Sequence, residues 1–208
     1  MELPPFALSA LPLWLDLIGT FVFGLSGGML AVRRQLDLFG VMVLSVAAAT
    51  AGGVIRDMAI GDTPVAMLRD NRYLALAVAA GLVAFLAHRQ VERLNKPVML
   101  LDALGLGVFA VSGSQKALMF GLGPVQACLL GVLTAVGGGA VRDLLVAEVP
   151  RVLREEVYAV AAILGAAVAV GGTALDLPVL VTATAGVLLT FVVRVLSVRL
   201  GLRIPRAR

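Results

Sequence analysis

The segment AGGVIRD, residues 51–57, is followed 86 residues later by GGGAVRD, residues 137–143. The similarity extends beyond these seven positions, because residues 16–64 match residues 102–150 at 16 of 49 positions without a gap. The matches include Asp, Arg and Pro, which a shared apolar composition does not readily align. The chain therefore contains an internal repeat, and the repeat is its most informative feature.

The overall composition is that of a membrane protein. Of the 208 residues, 60% are hydrophobic and 14% are charged, and the formal net charge is +4. Soluble domains are typically about 45–50% apolar and about 25% charged, so this composition excludes an ordinary soluble fold. The arginines flank apolar segments, which favours a role in membrane topology over nucleic-acid binding. The predicted partner is the lipid bilayer, and no nucleic acid is expected.

Continuous apolar runs predict seven transmembrane helices, since about 20 apolar residues span a bilayer. The strands of transmembrane barrels alternate instead, so we expect an all-α membrane protein made of a single transmembrane domain, residues 1–208. The predicted spans cover residues 11–32, 38–60, 73–88, 97–120, 124–146, 157–175 and 178–196. The third span is the shortest of the seven.

The spans divide into two repeats of three helices. Repeat one covers about residues 12–90 and repeat two about residues 98–175, while the seventh helix, about residues 178–196, has no counterpart. Because three is odd, the second copy enters the membrane from the opposite side to the first. Inverted repeats of this kind are common in transporters, with the permeant site near the midplane.

The distribution of Lys and Arg predicts the orientation in the membrane. On one side lie 13 of the 17, together with the C-terminus. The positive-inside rule therefore predicts a multi-pass protein of the cell inner membrane with its N-terminus outside and its C-terminus cytoplasmic. The four basic residues on the outer side are Arg56, Arg69, Arg72 and Lys116.

Glycine runs occur late in the second and fifth predicted spans. They are Gly52 and Gly53 in the second span, and Gly137, Gly138 and Gly139 in the fifth. One interpretation is that the helix bends or unwinds there, which would free carbonyls to coordinate a cation along a water-filled path. The other is close helix packing. The duplication of the motif favours the kinked, pore-lining interpretation.

Each glycine run is followed by an Arg-Asp pair, Arg56-Asp57 and Arg142-Asp143. Ionisable residues near membrane depth are costly, which makes them candidates for the two mouths of a pathway. Neighbouring residues do not face each other on a helix, so we expect each Arg to pair with another group, such as a freed carbonyl, and each Asp to face a helix end or a loop. The alternative is a snorkelling Arg beside a solvated Asp.

Small polar residues occupy matching places in the first and fourth spans. Ser26 and Gly27 match Ser112 and Gly113. The hydroxyls could line a narrow path and replace part of the hydration shell of a cation, or they could bond to their own helix backbone. Lys116, at the end of the fourth span, is a candidate for a pore mouth, with snorkelling as the alternative.

Other polar residues give weaker signals. Asp16 and Asp102 lie near the starts of the first and fourth spans, where they could attract cations, but the favoured interpretation is stabilisation of a helix N-terminus. The chain has one His and one Cys, which leaves little for nucleophilic or metal catalysis. We therefore expect neither an enzyme nor a metal site.

The doubled GG-x-x-RD segment, the inverted repeat and the unpaired seventh span together resemble the prokaryotic trimeric intracellular cation channel family. The resemblance covers about residues 12–196. It implies a homotrimer with one ion pathway in each subunit, framed by the first, second, fourth and fifth helices and permeable to monovalent cations, chiefly potassium. It also implies a role in counter-ion or potassium balance.

Carried over by position, the family's glycine kinks fall on Gly52, Gly53 and 137–139, with basic residues at Arg56 and Arg142. Ala51 stands where the second copy has glycine, which implies a milder bend. Animal members bind a phosphoinositide through a basic motif in the second span. No such cluster occurs here, so we expect no cofactor other than permeant potassium or sodium ions.

Two other functions compete with a channel. A transporter of a small zwitterion such as glycine, a function also attached to this sequence family, suits inverted repeats equally well, and Arg56 or Arg142 could then hold a carboxylate. A membrane scaffold without a pathway would use its small residues for helix packing only.

Overall fold

The computed structural model describes residues 11–87, 97–154 and 157–201. Those residues form helices and turns and no strand, so the predicted all-α class is confirmed. The nine helices of the described part are α1 (Leu11–Arg33), α2 (Leu38–Ala59), α3 (Ala66–Arg69), α4 (Asn71–Leu86), α5 (Pro97–Met119), α6 (Pro124–Leu145), α7 (Arg151–Arg154), α8 (Val157–Ala174) and α9 (Val179–Leu200).

Six of these helices are long and apolar enough to cross a bilayer, namely α1, α2, α5, α6, α8 and α9. The third predicted span, residues 73–88, corresponds to α4, which has 16 residues and is shorter than the usual length of about 20. It begins early because the side chain of Asp70 accepts the backbone N–H of Arg72 at 2.9 Å and caps the helix. A seventh crossing therefore stays a prediction.

The ends of five predicted spans lie within one residue of the observed helices, whereas α9 continues to Leu200, four residues past the predicted end. Polar residues such as Ser197 lower the hydropathy there without breaking the helix. The helix ends at Gly201, whose φ of 63° is the left-handed conformation that glycine adopts at low cost. The sequence did not predict α3 and α7, because a helix of four residues is too short to show a helical period of apolar residues.

The bundle is centred on α1 and α5, which pack against each other and are the most buried of the long helices. The helices form two groups around these two. In one group α1 packs against α2 and α4, and in the other α5 packs against α6 and α8. The two groups are also joined by contact between α2 and α6. The last helix, α9, lies against α5 and α8. The centre of the fold is thus formed by α1, α2, α5 and α6.

Two aromatic rings fill the middle of the contact between α1 and α5. Phe23 and Phe109 stack with their ring centroids 5.2 Å apart and their planes at 23°. Glycine makes room for each ring: a Cβ on Gly105 would lie 2.8 Å from the ring of Phe23, and one on Gly19 would overlap the ring of Phe109. Both the phenylalanines and the glycines are 86 residues apart. The same local packing therefore occurs twice across one interface.

Candidate functional site

The glycine runs are the points where α2 and α6 cross. A Cβ on Gly52 would collide with the backbone carbonyl of Thr134, and one on Gly138 would collide with that of Ala48. A Cβ on Gly137 would lie 3.1 Å from the Cα of Gly52. Only glycine allows backbones to approach this closely.

The helix does not unwind at Gly52, Gly53 and Gly137–Gly139, because α2 and α6 are α-helical throughout these residues, and a bend there stays a prediction. The missing side chains are used for the crossing, so the helical hydrogen bonds need not break. Gly53 differs from the rest, since among the described residues the only group near its absent Cβ is the Arg56 guanidinium at 3.9 Å. A pore-lining role for these glycines stays a prediction.

Asp16, Arg56, Asp57, Tyr73 and Lys116 form the first buried polar group, which we name the Arg56 cluster. The Arg56 guanidinium is forked onto Asp16 of α1: Nη1 donates to Oδ1 and Nη2 lies by Oδ2, each at 2.7 Å. Its Nε donates to Oδ1 of the adjacent Asp57 at 2.9 Å. Since Arg56 is only 1% exposed, these carboxylates provide the compensation that a buried cation needs.

Lys116 reaches the same cluster from the end of α5. Its Nζ lies 2.7 Å from Oδ1 of Asp57 and 2.7 Å from Oδ2 of Asp62. Burial alone would raise the pKa of Asp62, but hydrogen bonds from Lys116 and Arg69 hold that pKa below its usual range. The Lys116 ammonium is thus anchored between two carboxylates.

Ser26, Asp102, Arg142 and Asp143 form the second buried group, the Arg142 cluster. Nη1 of Arg142 donates to Oδ1 of Asp102 and to Oγ of Ser26, both at 2.7 Å. Nε and Nη2 both donate to Oδ1 of Asp143, at 2.9 and 2.7 Å. The Arg142 side chain is completely buried. Two nitrogens of Arg142 therefore bond to one carboxylate oxygen of the next residue in sequence, Asp143.

The two clusters lie at opposite ends of the central helices. Asp16 and Ser26 are ten residues apart on α1, which corresponds to about 15 Å at 1.5 Å per residue. Asp102 and Lys116, at the two ends of α5, are separated by about 21 Å on the same basis. The Phe23–Phe109 stack lies between the clusters on both helices.

Each Arg pairs with a group other than its neighbour, as expected, but that group is the carboxylate of Asp16 or Asp102 and not a carbonyl. Each Arg also bonds to the Asp that follows it, which was not expected. Asp16 and Asp102 were expected to stabilise helix ends, but each is ion-paired with an arginine 40 residues later. Their match in the repeat was the signal that could have identified them.

The expectation that the carboxylates of the two Arg-Asp pairs face loops is confirmed. Oδ2 of Asp57 accepts the backbone N–H of Ala66 at 2.9 Å, and Oδ2 of Asp143 accepts that of Arg151 at 3.0 Å. Those two N–H groups begin the short helices α3 and α7. Each carboxylate thus ties the turn after its helix to the buried cluster.

The four small polar residues of α1 and α5 have different surroundings. Ser26 belongs to the Arg142 cluster, whereas Oγ of the equally buried Ser112 has no hydrogen-bond partner among the described residues. Gly27 and Gly113 serve packing: a Cβ on either would lie 2.6 Å from an atom of the neighbouring helix, the carbonyl oxygen of Leu44 or the hydroxyl of Thr134.

Two tyrosines beside the clusters were not predicted. The hydroxyl of Tyr73 donates to Oδ2 of Asp16 at 3.4 Å, and the ring of Tyr158 lies under the Arg194 guanidinium of α9, 4.9 Å from its centroid. The tyrosines are 85 residues apart, one fewer than the repeat offset. An ungapped comparison that ends at Pro150 therefore does not align them.

A cavity of about 370 Å³ opens beside the Arg56 cluster and is lined by Asp16, Asp62, Tyr73 and Lys116 among others. It shares Asp16 and Tyr73 with a smaller cavity of about 10 Å³, roughly the space that one water molecule needs. Arg56 and Phe109 line the smaller cavity. The two cavities thus lead from the Lys116 end of the bundle toward the Phe23–Phe109 stack.

The fold and its two buried clusters define a multi-pass helical membrane protein with compensated charges at both ends of four central helices. A family model described as glycine transporter matches residues 13–89 and 99–174. The UPF0126 inner membrane protein YadS of Escherichia coli K12 is 40% identical over 92% of this chain and 94% of its own length. A UPF0126 membrane protein of Deinococcus radiodurans is 46% identical over 74% of this chain and 72% of its own length. The chain belongs to this UPF0126 membrane protein family.

Solved structures are similar over nearly the whole chain. The trimeric intracellular cation channel (TRIC) orthologue from Rhodobacter sphaeroides is 34% identical, with a TM-score of 0.86 over 93% of this chain and 100% of that one. A structure that describes conductance through TRIC cation channels is 36% identical, with a TM-score of 0.83 over 93% of this chain and 96% of that one. The resemblance to trimeric intracellular cation channels is confirmed.

Proposed function

We propose that the protein is a channel for monovalent cations, chiefly potassium, which works as a homotrimer with one pathway in each subunit. The observation that carries this proposal is the similarity to TRIC cation channels over 93% of the chain at 34–36% identity. Its role would be counter-ion or potassium balance across the membrane. The permeant ions are the only ligands that the proposal needs, and it includes no resident cofactor, enzymatic activity or nucleic-acid partner.

The proposed pathway runs between α1, α2, α5 and α6. Asp16 and Asp62 line the larger cavity and would attract cations to its mouth. Their pairing with Arg56 and Lys116 would keep the attraction weak enough for ions to leave again, which conduction requires. The stacked Phe23 and Phe109 rings close the centre, so they must separate when an ion passes.

We also propose that the two groups of helices are inverted repeats, with α9 outside them. The support is the recurrence of contacts at the 86-residue offset: Asp16–Arg56 recurs as Asp102–Arg142, and Phe23 stacks on its own counterpart. With the orientation given by the positive-inside rule, the Arg56 cluster lies at the outer end and the Arg142 cluster at the cytoplasmic end.

A glycine carrier is the second candidate, because the matching family model is described as a glycine transporter. The contacts of the two arginines favour the channel over this alternative. Arg56 and Arg142 both have Nε and both terminal nitrogens in contact with carboxylates. A substrate carboxylate would therefore have to displace Asp16 or Asp102 from its ion pair.

The test is potassium flux into liposomes that contain the purified protein, with labelled glycine uptake measured in the same preparation. The channel proposal predicts potassium flux down its gradient without saturable glycine uptake. Saturable glycine uptake without an independent potassium leak would overturn it. Protein-free liposomes and the variant Thr184→Ala serve as controls, because Thr184 is exposed on α9 and its hydroxyl donates to the Leu180 carbonyl of the same helix.

A further inference from the structure

The two buried arginines both use Nε and both terminal nitrogens, but Arg56 makes three contacts and Arg142 makes four, and the partners are distributed differently. Arg56 places both terminal nitrogens on Asp16, a residue of another helix. Arg142 places only Nη1 on the equivalent Asp102 and turns Nη2 to Asp143 on its own helix. As a result, Oδ2 of Asp102 has no hydrogen bond within the described part of the chain. The repeat has preserved the residues and changed the geometry.

Lys116 accounts for this difference. Its Nζ lies 2.7 Å from Oδ1 of Asp57, and the equivalent oxygen of Asp143 is the one that receives Nη2 of Arg142. The residue 86 positions before Lys116 is Leu30, which is buried and apolar. The further cation at that end is Arg151, whose Nη1 lies 3.8 Å from Oδ2 of Asp102. No lysine contacts Asp143 among the described residues, so Arg142 neutralises Asp143 itself. With Lys116 present, Arg56 is left to fork onto Asp16.

The two matching serines, Ser26 and Ser112, differ in their contacts just as the two arginines do. Nη1 of Arg142 also donates to Ser26, while the matching Ser112 has a fully buried hydroxyl with no hydrogen-bond partner in the described residues. Ser112 precedes Lys116 by one turn of α5 and follows Phe109 by three residues, so it lies on the helix face that borders the Arg56 cluster. As the counterpart of Ser26 in the repeat, Ser112 carries the hydroxyl that would accept a bond from Arg56.

We propose that Lys116 is a positioning residue that holds Arg56 on Asp16 and away from Ser112, and so makes the two ends of the bundle unequal. Removing the lysine lets Arg56 turn Nη2 to Asp57 and bond to Ser112, as Arg142 does with Asp143 and Ser26. The structural part of this inference depends on contacts alone. Only its consequence for ion conduction rests on the proposed function.

The first test compares the melting temperatures of serine variants in detergent. Ser26→Ala should lower the melting temperature by about 3–6 °C, because it removes a hydrogen bond to a buried cation, while Ser112→Ala should leave it nearly unchanged. In a Lys116→Leu background, Ser112→Ala should become destabilising by a similar amount. In a Lys116→Arg background it should stay neutral. The proposal would be overturned if Ser112→Ala lowered the melting temperature as much as Ser26→Ala in the protein that retains Lys116. It would also be overturned if Ser112→Ala still had no effect in the Lys116→Leu background.

The reciprocal variant covers the case in which Lys116→Leu does not fold. Leu30→Lys supplies a cation for Asp143, which should release Nη2 of Arg142 to Asp102 and free Ser26. Ser26→Ala should then lose its destabilising effect in the Leu30→Lys background. If Ser26→Ala lowers the melting temperature there as much as in the natural sequence, the role given to the lysine position is wrong.

Current–voltage curves in planar bilayers provide the functional test. Unequal ends predict unequal potassium currents at equal and opposite voltages, and Lys116→Leu should bring their ratio toward one. A ratio that is unchanged in a folded Lys116→Leu channel would overturn the effect on conduction. Absence of any current alongside the expected melting pattern would instead overturn the proposed channel and support the role of Lys116 in positioning Arg56.

Discussion

The Arg56 and Arg142 clusters share three matching residues: an Asp, an Arg 40 positions later and the Asp that follows it. The Arg56 cluster borders a cavity lined by Lys116 and Tyr73, whereas Arg142 binds Ser26 of the other helix group. Each cluster buries an arginine between two aspartates, so the repeat preserves the neutralisation of charge. The repeat does not preserve the partner of Nη2, which is Asp16 for Arg56 and Asp143 for Arg142. The comparison teaches that cations without a counterpart in the repeat, Lys116 beside Asp57 and Arg151 near Asp102, make two duplicated sites different.

The largest effect that tests this comparison is expected from the loss of an arginine. Arg142→Ala leaves Asp102 and Asp143 buried without their common partner, which should cost about 3–5 kcal/mol of stability. Arg56→Ala should cost less, because Lys116 still neutralises Asp57. Chemical unfolding in detergent measures both, with Arg199→Ala as an exposed control. Equal losses for the two variants would contradict the difference between the clusters.

The helix crossing provides a test in which the two repeats should behave alike. Gly52→Ala and Gly138→Ala each drive a Cβ into a backbone carbonyl of the facing helix, so each should destabilise by about 1–3 kcal/mol. No atom of the described part of the chain lies within 4 Å of the absent Cβ of Gly171, and Gly171→Ala is the matched control. Thermal unfolding of the three variants measures these differences in stability. A neutral Gly52→Ala would mean that the crossing is looser than described.

The smallest effect concerns acid pH at the Lys116 end. Because the pKa of Asp62 is held below its usual value of about 3.9, its ionised form contributes stability above that pH and loses it as the pH falls through the lowered pKa. The contribution of this partly solvated pair is at most about 1 kcal/mol. Asp62→Asn should therefore melt slightly below the natural protein at pH 6, and the difference should shrink as the pH falls through the lowered pKa of Asp62. A difference that persists at low pH would assign the effect to packing.

The sequence was sufficient for the six long helices, because long apolar runs leave little choice of element in a membrane protein. It was less informative about α4, whose 16 residues are fewer than a typical span. The acidic partners of the arginines were visible as Asp16 and Asp102 in the repeat alignment. They were misinterpreted because a residue near a helix start also has a local electrostatic role.

Other features depend on distances that no local pattern contains. The glycines at 52 and 138 suit either a break in the helix or a close crossing, and only the facing backbone decides between them. The role of Lys116 was hidden because its counterpart, Leu30, carries no charge, so the alignment shows no match there. The tyrosines at 73 and 158 fall out of register by one residue.

The most direct test of the central claim is potassium flux through liposomes that contain Phe109→Ala. If the pathway runs between α1, α2, α5 and α6 and is closed by the Phe23–Phe109 stack, removing one ring should raise the flux severalfold over the natural protein. Leu188→Ala, on the exposed face of α9, should leave the flux unchanged. A folded Phe109→Ala variant whose potassium flux equals that of the natural protein would contradict the account.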